Sequence, residues 1–136
     1  MSMGYGASCR KVAEDEKTLM YEYSIYNWSE MGYADSTDLY DGMILIEKSA
    51  FVEPEIHTKR KRQTSGKKAV VSKVVINYDI PCEALIKKKS IIVENCSHAW
   101  SFSEDGYDHM AIRLVYNLFI EYQKMGVTPE RISINY

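Results

Sequence analysis

A regular alternation of side-chain type marks the first predicted element. Every second position of one stretch carries an aliphatic or aromatic residue, namely Leu19, Tyr21, Tyr23 and Ile25. Such residues at a period of two are typical of a half-buried strand. An acidic turn, residues 14–17, lies just before the stretch. The pattern therefore predicts a strand over residues 19–26 that forms a hairpin with residues 8–14.

Four further strands are predicted along the chain. A polar stretch, residues 27–41, leads to an apolar segment at 43–47. Later, β-branched residues crowd together and indicate a long strand at Val70, Val71, Val74, Val75 and Ile76. Residues 91–94 and the alternating pair Ile132 and Ile134 complete the predicted set.

Two short helices are predicted between these strands. Pro54 suits the first turn of a helix, because it lacks only an N–H group that would have no partner there. Glu53 and Glu55 would lie at the positive end of that helix and the basic residues 59–62 towards its negative end. A second short helix is predicted over residues 81–89, because it also begins with a proline and ends with three lysines.

The strongest helical pattern lies in the last third of the chain. Apolar residues recur there at spacings of three and four, at Met110, Leu114, Val115, Leu118, Phe119 and Tyr122. This spacing is typical of a helix with one face on a core. The pattern predicts a long amphipathic helix over residues 105–124. Asp105 and Asp108 would lie near its start and Lys124 near its end, which suits the helix dipole.

These elements together predict an α+β fold in a single domain, residues 1–136. We expect an antiparallel or mixed sheet with an N-terminal hairpin or meander, two short helices, and the long C-terminal helix packed on the sheet. With 136 residues and 46% hydrophobic residues, the chain is large enough to bury a core. No stretch approaches the roughly 18 apolar residues that a membrane span needs, so we expect no membrane association.

Cysteine usage bears on the compartment in which the protein works. The three cysteines, Cys9, Cys82 and Cys96, are odd in number and irregularly spaced, which favours a reducing environment over a disulfide framework. The first residues lack the basic and apolar regions of a signal peptide. We therefore expect a cytoplasmic protein.

Charge divides the chain into three parts. Residues 1–50 hold four Lys and Arg against nine Asp and Glu, residues 51–90 hold ten against four, and residues 91–136 hold three against six. The formal net charge of −2 therefore conceals an acid–base–acid arrangement. Such an arrangement favours binding to a charged partner, without naming that partner.

The basic residues concentrate in one segment, at Lys59, Arg60, Lys61, Arg62, Lys67 and Lys68. Clustered Lys and Arg bind nucleic-acid phosphates because binding releases condensed counterions. However, no aromatic residue lies between Phe51 and Tyr78, whereas nucleic-acid-binding domains usually place aromatic or groove-reading elements near a basic face. A nucleotide- or nucleic-acid-binding module is therefore the alternative hypothesis, and a solvated helix end is the simpler interpretation of these charges.

Two polar groups of residues could carry chemistry, but neither has a recognisable spacing. The first contains side chains that zinc accepts, namely Cys82, Cys96, His98 and His109. The second, Asp105, Asp108 and His109, could place carboxylates beside a general base, although acids are also expected at a helix start. No motif of a known hydrolase, metalloprotease or dinucleotide site occurs. We expect a non-enzymatic protein without a metal ion or cofactor.

The N-terminal third combines acidic residues with many aromatic ones. Six of the eleven tyrosines precede residue 41. Strand alternation places Tyr26 and Trp28 on the face opposite Tyr21 and Tyr23. Tyr and Trp are common anchors in protein interfaces, although a helical layer that covers this face is the competing explanation.

The leading hypothesis is a small binding protein of the inhibitor or immunity type. Its acidic, aromatic surface would occlude a basic protein partner, such as a nuclease toxin, because complementary charge accelerates association. The residues expected to contact the partner are Glu22, Tyr26, Trp28, Tyr33, Asp35, Asp38, Tyr40 and Asp41. The two hypotheses differ in whether the acidic or the basic segment adjoins exposed aromatic residues.

Overall fold

The computed structural model describes residues 4–27, 40–62, 66 and 68–136. The strands in this part of the chain are β1 (Tyr5–Glu14), β2 (Thr18–Asn27), β3 (Gly42–Glu47), β4 (Glu55–Arg62), β5 (Lys68–Val75), β6 (Ile91–Glu94) and β7 (Arg131–Asn135). The α-helices are α1 (Cys82–Lys87) and α2 (His109–Met125). One turn of 3-10 helix, Lys48–Ala50, follows β3. The predicted α+β class is confirmed.

Five strands form one antiparallel sheet in the order β6-β3-β2-β1-β7. Asp15 closes the turn between β1 and β2. Its Oδ1 atom accepts hydrogen bonds from the backbone N–H groups of Lys17 and Thr18 at 2.8 and 2.7 Å. The last strand of the chain, β7, pairs with β1 and so forms one edge of the sheet.

α2 packs on one face of this sheet and forms the core with it. The helix residues without exposed surface include Leu114, Val115, Leu118 and Phe119. They share one buried cluster with sheet residues of β2 and β3, namely Leu19, Tyr21, Tyr23, Ile44 and Ile46. Each fully buried aliphatic or aromatic side chain of this kind contributes about 1.5–3 kcal/mol to folding. The core therefore holds the helix and the sheet together.

α2 begins four residues later than the start predicted at residue 105. Asp108 is its N-cap, since the Oδ1 atom accepts a hydrogen bond from the N–H group of Met110 at 2.9 Å. Just before it, Gly106 has a φ of 87°, a left-handed conformation that ends a turn and does not occur inside a helix. Gly126, with a φ of 77°, caps the other end.

A two-stranded sheet replaces the helix predicted from Pro54. β4 pairs antiparallel with β5 along its whole length, from Glu55 opposite Val75 to Arg62 opposite Lys68. The helix prediction is wrong because it relied on a proline and on charge placement, and both are also compatible with the start of a strand. The β-branched residues of the two strands favour the paired conformation. The pairing joins residues 6 to 20 positions apart, which the pattern of β4 alone does not indicate.

The other short helix lies close to its predicted position. α1 covers Cys82–Lys87 within the expected range 81–89, and Lys89 has a positive φ of 62° just beyond it. Cys82, Leu85 and Ile86 are buried against the core. None of the helices described is long and apolar enough to cross a membrane.

Candidate functional site

β4 and β5 form a ribbon that is separate from the main sheet; we call residues 55–75 the basic ribbon. Neither strand pairs with a strand of the five-stranded sheet, and the described core cluster includes no residue of this segment. Every side chain that the structure describes in the two strands is exposed, namely Glu55, Ile56, His57, Thr58, Val70, Ser72, Lys73, Val74 and Val75. Both faces of this part of the ribbon are therefore accessible to a partner.

The basic ribbon and the rest of the chain have opposite charge. Residues 55–75 contain seven Lys and Arg and one Glu, whereas the remainder contains ten Lys and Arg and 18 Asp and Glu. Residues 59–62 form the second half of β4, and Lys68 begins β5 opposite Arg62. Five of the six basic residues singled out in the sequence thus lie at one end of the ribbon. The sixth, Lys67, is outside the described residues.

The base of the basic ribbon is attached to the last turns of α2. The N–H group of Asn77 donates to Oε1 of Gln123 at 2.7 Å, and Nε2 of Gln123 donates to the carbonyl group of Asn77 at 2.8 Å. Just before β4, the carboxylate of Glu53 accepts a hydrogen bond from the hydroxyl group of Tyr122 at 2.6 Å. Gln123 is only 3% exposed, so its hydrogen bonds are shielded from water. The helix therefore fixes the point at which the ribbon leaves the body.

The residues predicted to bind a protein partner lie partly in the described structure. Glu22 and Tyr26 are on β2 and are half-buried, on the sheet face opposite that of Tyr21 and Tyr23. The hydroxyl group of Tyr26 donates to Oδ1 of Asn135 on β7 at 2.5 Å. Four more of the predicted partner-binding residues lie outside the described residues, namely Trp28, Tyr33, Asp35 and Asp38.

Arg10 of β1 connects two of these residues. Its Nε atom donates to the carboxylate of Glu22, and its guanidinium group lies over the ring of Tyr40, 4.1 Å from the centroid. The hydroxyl groups of Tyr40 and Ser8 are 2.7 Å apart. We call the sheet face that carries Ser8, Arg10, Glu22 and Tyr26 the outer sheet face. Glu22 and Tyr40 come together there, but Arg10 offsets the negative charge of Glu22.

Other acids of the N-terminal third are also paired within the chain. The ammonium groups of Lys48 and Lys11 are 2.7 and 3.1 Å from the carboxylate of Glu14, and these contacts lower the pKa of Glu14. Burial alone would raise the pKa of Asp41, but hydrogen bonds from Ser97 outweigh it and the pKa is lowered. The acidic surface available to a basic partner is therefore smaller than the residue count suggests.

The carboxyl group of Asp108 is part of a buried polar contact between α2 and β2. Its Oδ2 atom accepts a hydrogen bond from the hydroxyl group of Tyr23 at 2.8 Å, and Sγ of Cys96 lies 3.9 Å away. Burial raises the pKa of Asp108 and raises that of the Cys96 thiol to about 11. A thiol of this kind is a poor nucleophile at neutral pH. The arrangement positions α2 and offers no catalytic group with ready access to solvent.

The other candidate ligands do not come together. Nδ1 of His109 is 2.9 Å from Oγ of Ser101, Cys82 is buried on α1, and Asp105 is exposed. Across the described residues, no group of three or more His, Cys, Asp or Glu side chains could hold a metal ion.

Comparison with known proteins gives no match: no family model, curated protein or solved structure is similar to this chain. The function must therefore be inferred from geometry and charge. The sequence pattern missed the basic ribbon, although the valines of β5 indicated one of its strands. It also gave no sign of the Asp108–Tyr23 contact, which joins residues 85 positions apart.

Proposed function

We propose that the protein binds nucleic acid through the basic ribbon. The observation that supports this most directly is the separation of the ribbon from the main sheet, with every described side chain of β4 and β5 exposed. A two-stranded ribbon outside the main sheet can contact a phosphate backbone or enter the major groove. Residues 55–62 form a strand and not the predicted helix, and this favours nucleic-acid binding, which was the alternative hypothesis from the sequence.

The charge of the basic ribbon provides the driving force. Each phosphate neutralised by Lys or Arg releases counterions, and the logarithm of the binding constant falls with the logarithm of salt concentration by about 0.9 per contact. The seven basic residues of the ribbon allow several such contacts at once. The negative body repels phosphates, so the ribbon is the part of the molecule that a nucleic acid approaches.

The test is a charge-neutralised ribbon compared with a matched change elsewhere. The substitutions Lys59→Gln, Arg60→Gln, Lys61→Gln and Arg62→Gln should weaken binding of a fluorescent 20-base-pair DNA about tenfold or more at roughly 0.1 M salt, and should flatten the salt dependence. The control removes the exposed lysines at the end of α1 by Lys87→Gln, Lys88→Gln and Lys89→Gln. Equal losses in both variants, or no loss in the ribbon variant, would refute the proposal.

A second candidate function is inhibition of a basic protein partner, of the kind that an immunity protein provides against a nuclease toxin. The observation that favours it is the outer sheet face, where Glu22, Tyr26 and Tyr40 are half-buried and so retain exposed surface. We propose that an arginine- or lysine-rich partner would contact these rings and carboxylates. Arg10 already pairs with Glu22, so the partner would have to compete with an internal contact.

Capture from a lysate of the native host tests this second candidate. The parent protein should retain a basic protein that the double variant Tyr26→Ala and Tyr40→Ala releases more quickly, because aromatic anchors mainly govern dissociation. A variant of the opposite side of the molecule, Met125→Ala, serves as the control, since that side chain is exposed on α2. A partner held equally by all three proteins would exclude the outer sheet face as its binding site.

We also propose that the protein acts by binding, without catalysis or a cofactor, in a reducing compartment such as the cytoplasm. All three cysteines are free and buried, which supports the proposal of a reducing compartment. The raised pKa values of the thiols, about 12 for Cys9 and about 11 for Cys82 and Cys96, support a structural role for them.

A further inference from the structure

Three exposed apolar side chains share one face of the basic ribbon. Ile56 is paired with Val74 in the ladder, and Val70 lies four residues before Val74, so all three occupy one face. Their exposed fractions are 67% for Ile56, 62% for Val70 and 51% for Val74. On the other face, Nε2 of His57 lies 3.1 Å from the carboxylate of Glu55. The first face therefore carries Ile56, Val70 and Val74 beside Thr58 and Ser72, and the second carries Glu55, His57 and Lys73 beside Val75.

Three exposed β-branched residues on one face need an explanation, because a two-stranded ribbon gains little stability from them in water. The surrounding charge indicates what could cover them. Seven basic residues in the same 21-residue segment would attract a polyanion and would repel a basic protein. The occupant favoured by this combination is a nucleic acid that offers apolar surface between two rows of phosphates.

A single strand does not fit this surface. Single-stranded nucleic acids are held largely by stacking of their bases on aromatic side chains. Residues 52–77 contain no Phe, Tyr or Trp, so the basic ribbon has no such platform. In the sequence, the lack of aromatic residues weakened the nucleic-acid hypothesis. In the structure, it favours a double-stranded over a single-stranded ligand.

A double helix of B-form geometry does fit. Two paired strands lie about 4.8 Å apart, and the major groove of B-DNA is about 12 Å wide and admits a two-stranded ribbon. The eight paired residues of each strand span about 26 Å at roughly 3.3 Å per residue. The major groove of an RNA duplex is too deep and narrow for side chains to read. Thymine methyl groups line the DNA groove and offer apolar contacts.

We propose that the basic ribbon inserts into the major groove of duplex DNA with the face that carries Ile56, Val70 and Val74. This inference rests on the proposed nucleic-acid function and specifies its ligand. Basic residues of the segment would contact the phosphates that border the groove, while Ile56, Val70 and Val74 would contact the base edges. The hydrogen bonds of Gln123 at the base of the ribbon would hold it in position for insertion.

The experiment compares three probes of equal length and sequence: a 20-base-pair DNA duplex, the corresponding RNA duplex, and the single DNA strand. Fluorescence anisotropy with the full-length protein should give about tenfold tighter binding to the DNA duplex than to either of the others. Equal or tighter binding to the RNA duplex or the single strand would overturn the groove inference and leave the proposed function intact. No binding to any probe would overturn both.

A pair of substitutions tests the face that enters the groove. Val70→Thr with Val74→Thr keeps the shape and β-branching of both side chains and removes apolar contact. Affinity for the DNA duplex should fall several-fold with an unchanged salt slope, because no phosphate contact is lost. Val127→Thr, an exposed valine on the body, is the matched control and should bind like the parent. Unchanged binding by the ribbon variant would overturn the assignment of this face.

Discussion

Asp108 is the residue at which the long helix, the main sheet and the loop before the helix are joined. Its two carboxyl oxygens have separate roles, since Oδ1 accepts a hydrogen bond from the N–H group of Met110 and Oδ2 accepts one from the hydroxyl group of Tyr23. Its own N–H group donates to Oδ1 of Asn95 at 2.9 Å. A single side chain thus sets both the start of α2 and its position over β2. The first turn of α2 holds no acidic residue that could replace it.

Removal of this side chain should be costly for its size. Asp108→Ala removes the N-cap, which lowers stability by about 0.5–2 kcal/mol. It also leaves the buried hydroxyl group of Tyr23 without a hydrogen-bond acceptor, which costs about 1–3 kcal/mol more. Urea denaturation should therefore give a free energy of unfolding about 2–4 kcal/mol lower than that of the parent. The exposed Asp105→Ala substitution is the control. A loss no larger than that of the control would contradict the role given to Asp108.

The raised pKa of Asp108 predicts a pH dependence of stability with a definite sign. Burial raises the pKa in the folded protein, so the folded state holds this proton more tightly than the unfolded chain, in which an aspartate has a pKa of about 3.9. The contribution to stability is full below about pH 3.9 and is lost as the pH rises through the folded-state pKa. The difference in unfolding free energy between the parent and Asp108→Asn should therefore decrease from pH 3.5 upwards. If this difference in unfolding free energy increased with pH, the burial of a protonated Asp108 would be contradicted.

At the scale of elements, the sequence predicted those parts whose side chains repeat with a clear period. β2 and α2 carry such patterns, because each buries one face against the other. β4 carries none, since half of it is a run of Lys and Arg that fits the end of a helix or a strand alike. Its conformation is decided by pairing with β5, and the start of α2 by the contact between Asp108 and Tyr23. The pairing joins β4 to residues 6 to 20 positions away, and the other contact joins residues 85 positions apart. Neither can be inferred from the pattern of its own segment.

The attachment of the ribbon to α2 can be tested by one substitution in the helix. Gln123→Ala removes the two hydrogen bonds to Asn77 and leaves backbone groups at the ribbon base without partners, which should lower the free energy of unfolding by about 1–3 kcal/mol. Amide hydrogen exchange should accelerate at residues 53–58 and 73–77, and affinity for DNA should fall because the ribbon is less well positioned. Lys124→Ala, exposed and next in the helix, is the control. Unchanged exchange at the ribbon base would show that other contacts hold it.

At the scale of the whole molecule, two parts of opposite charge are joined by a short, well-bonded base. The body provides the buried core and carries the excess of acids, and the ribbon contributes no described residue to that core. Neutralising residues 59–62 should therefore change the free energy of unfolding by no more than the roughly ±0.5 kcal/mol typical of surface substitutions. The thermal midpoint of unfolding should stay nearly the same. Thermal denaturation of the ribbon variant checks this, and a large shift would show that the ribbon supports the body.

The separation of charge also determines how the protein behaves on an ion-exchange column. Net charge and isoelectric point, −2 and about 5.9, predict retention by an anion exchanger at pH 7 and passage through a cation exchanger. An ion-exchange resin, however, binds the part of the protein surface that has the opposite charge, whatever the net charge of the molecule. The protein should therefore be retained by both resins at low salt, with the acidic body on one and the ribbon on the other. Preparations made without a high-salt wash should carry host nucleic acid with them, visible as excess absorbance at 260 nm.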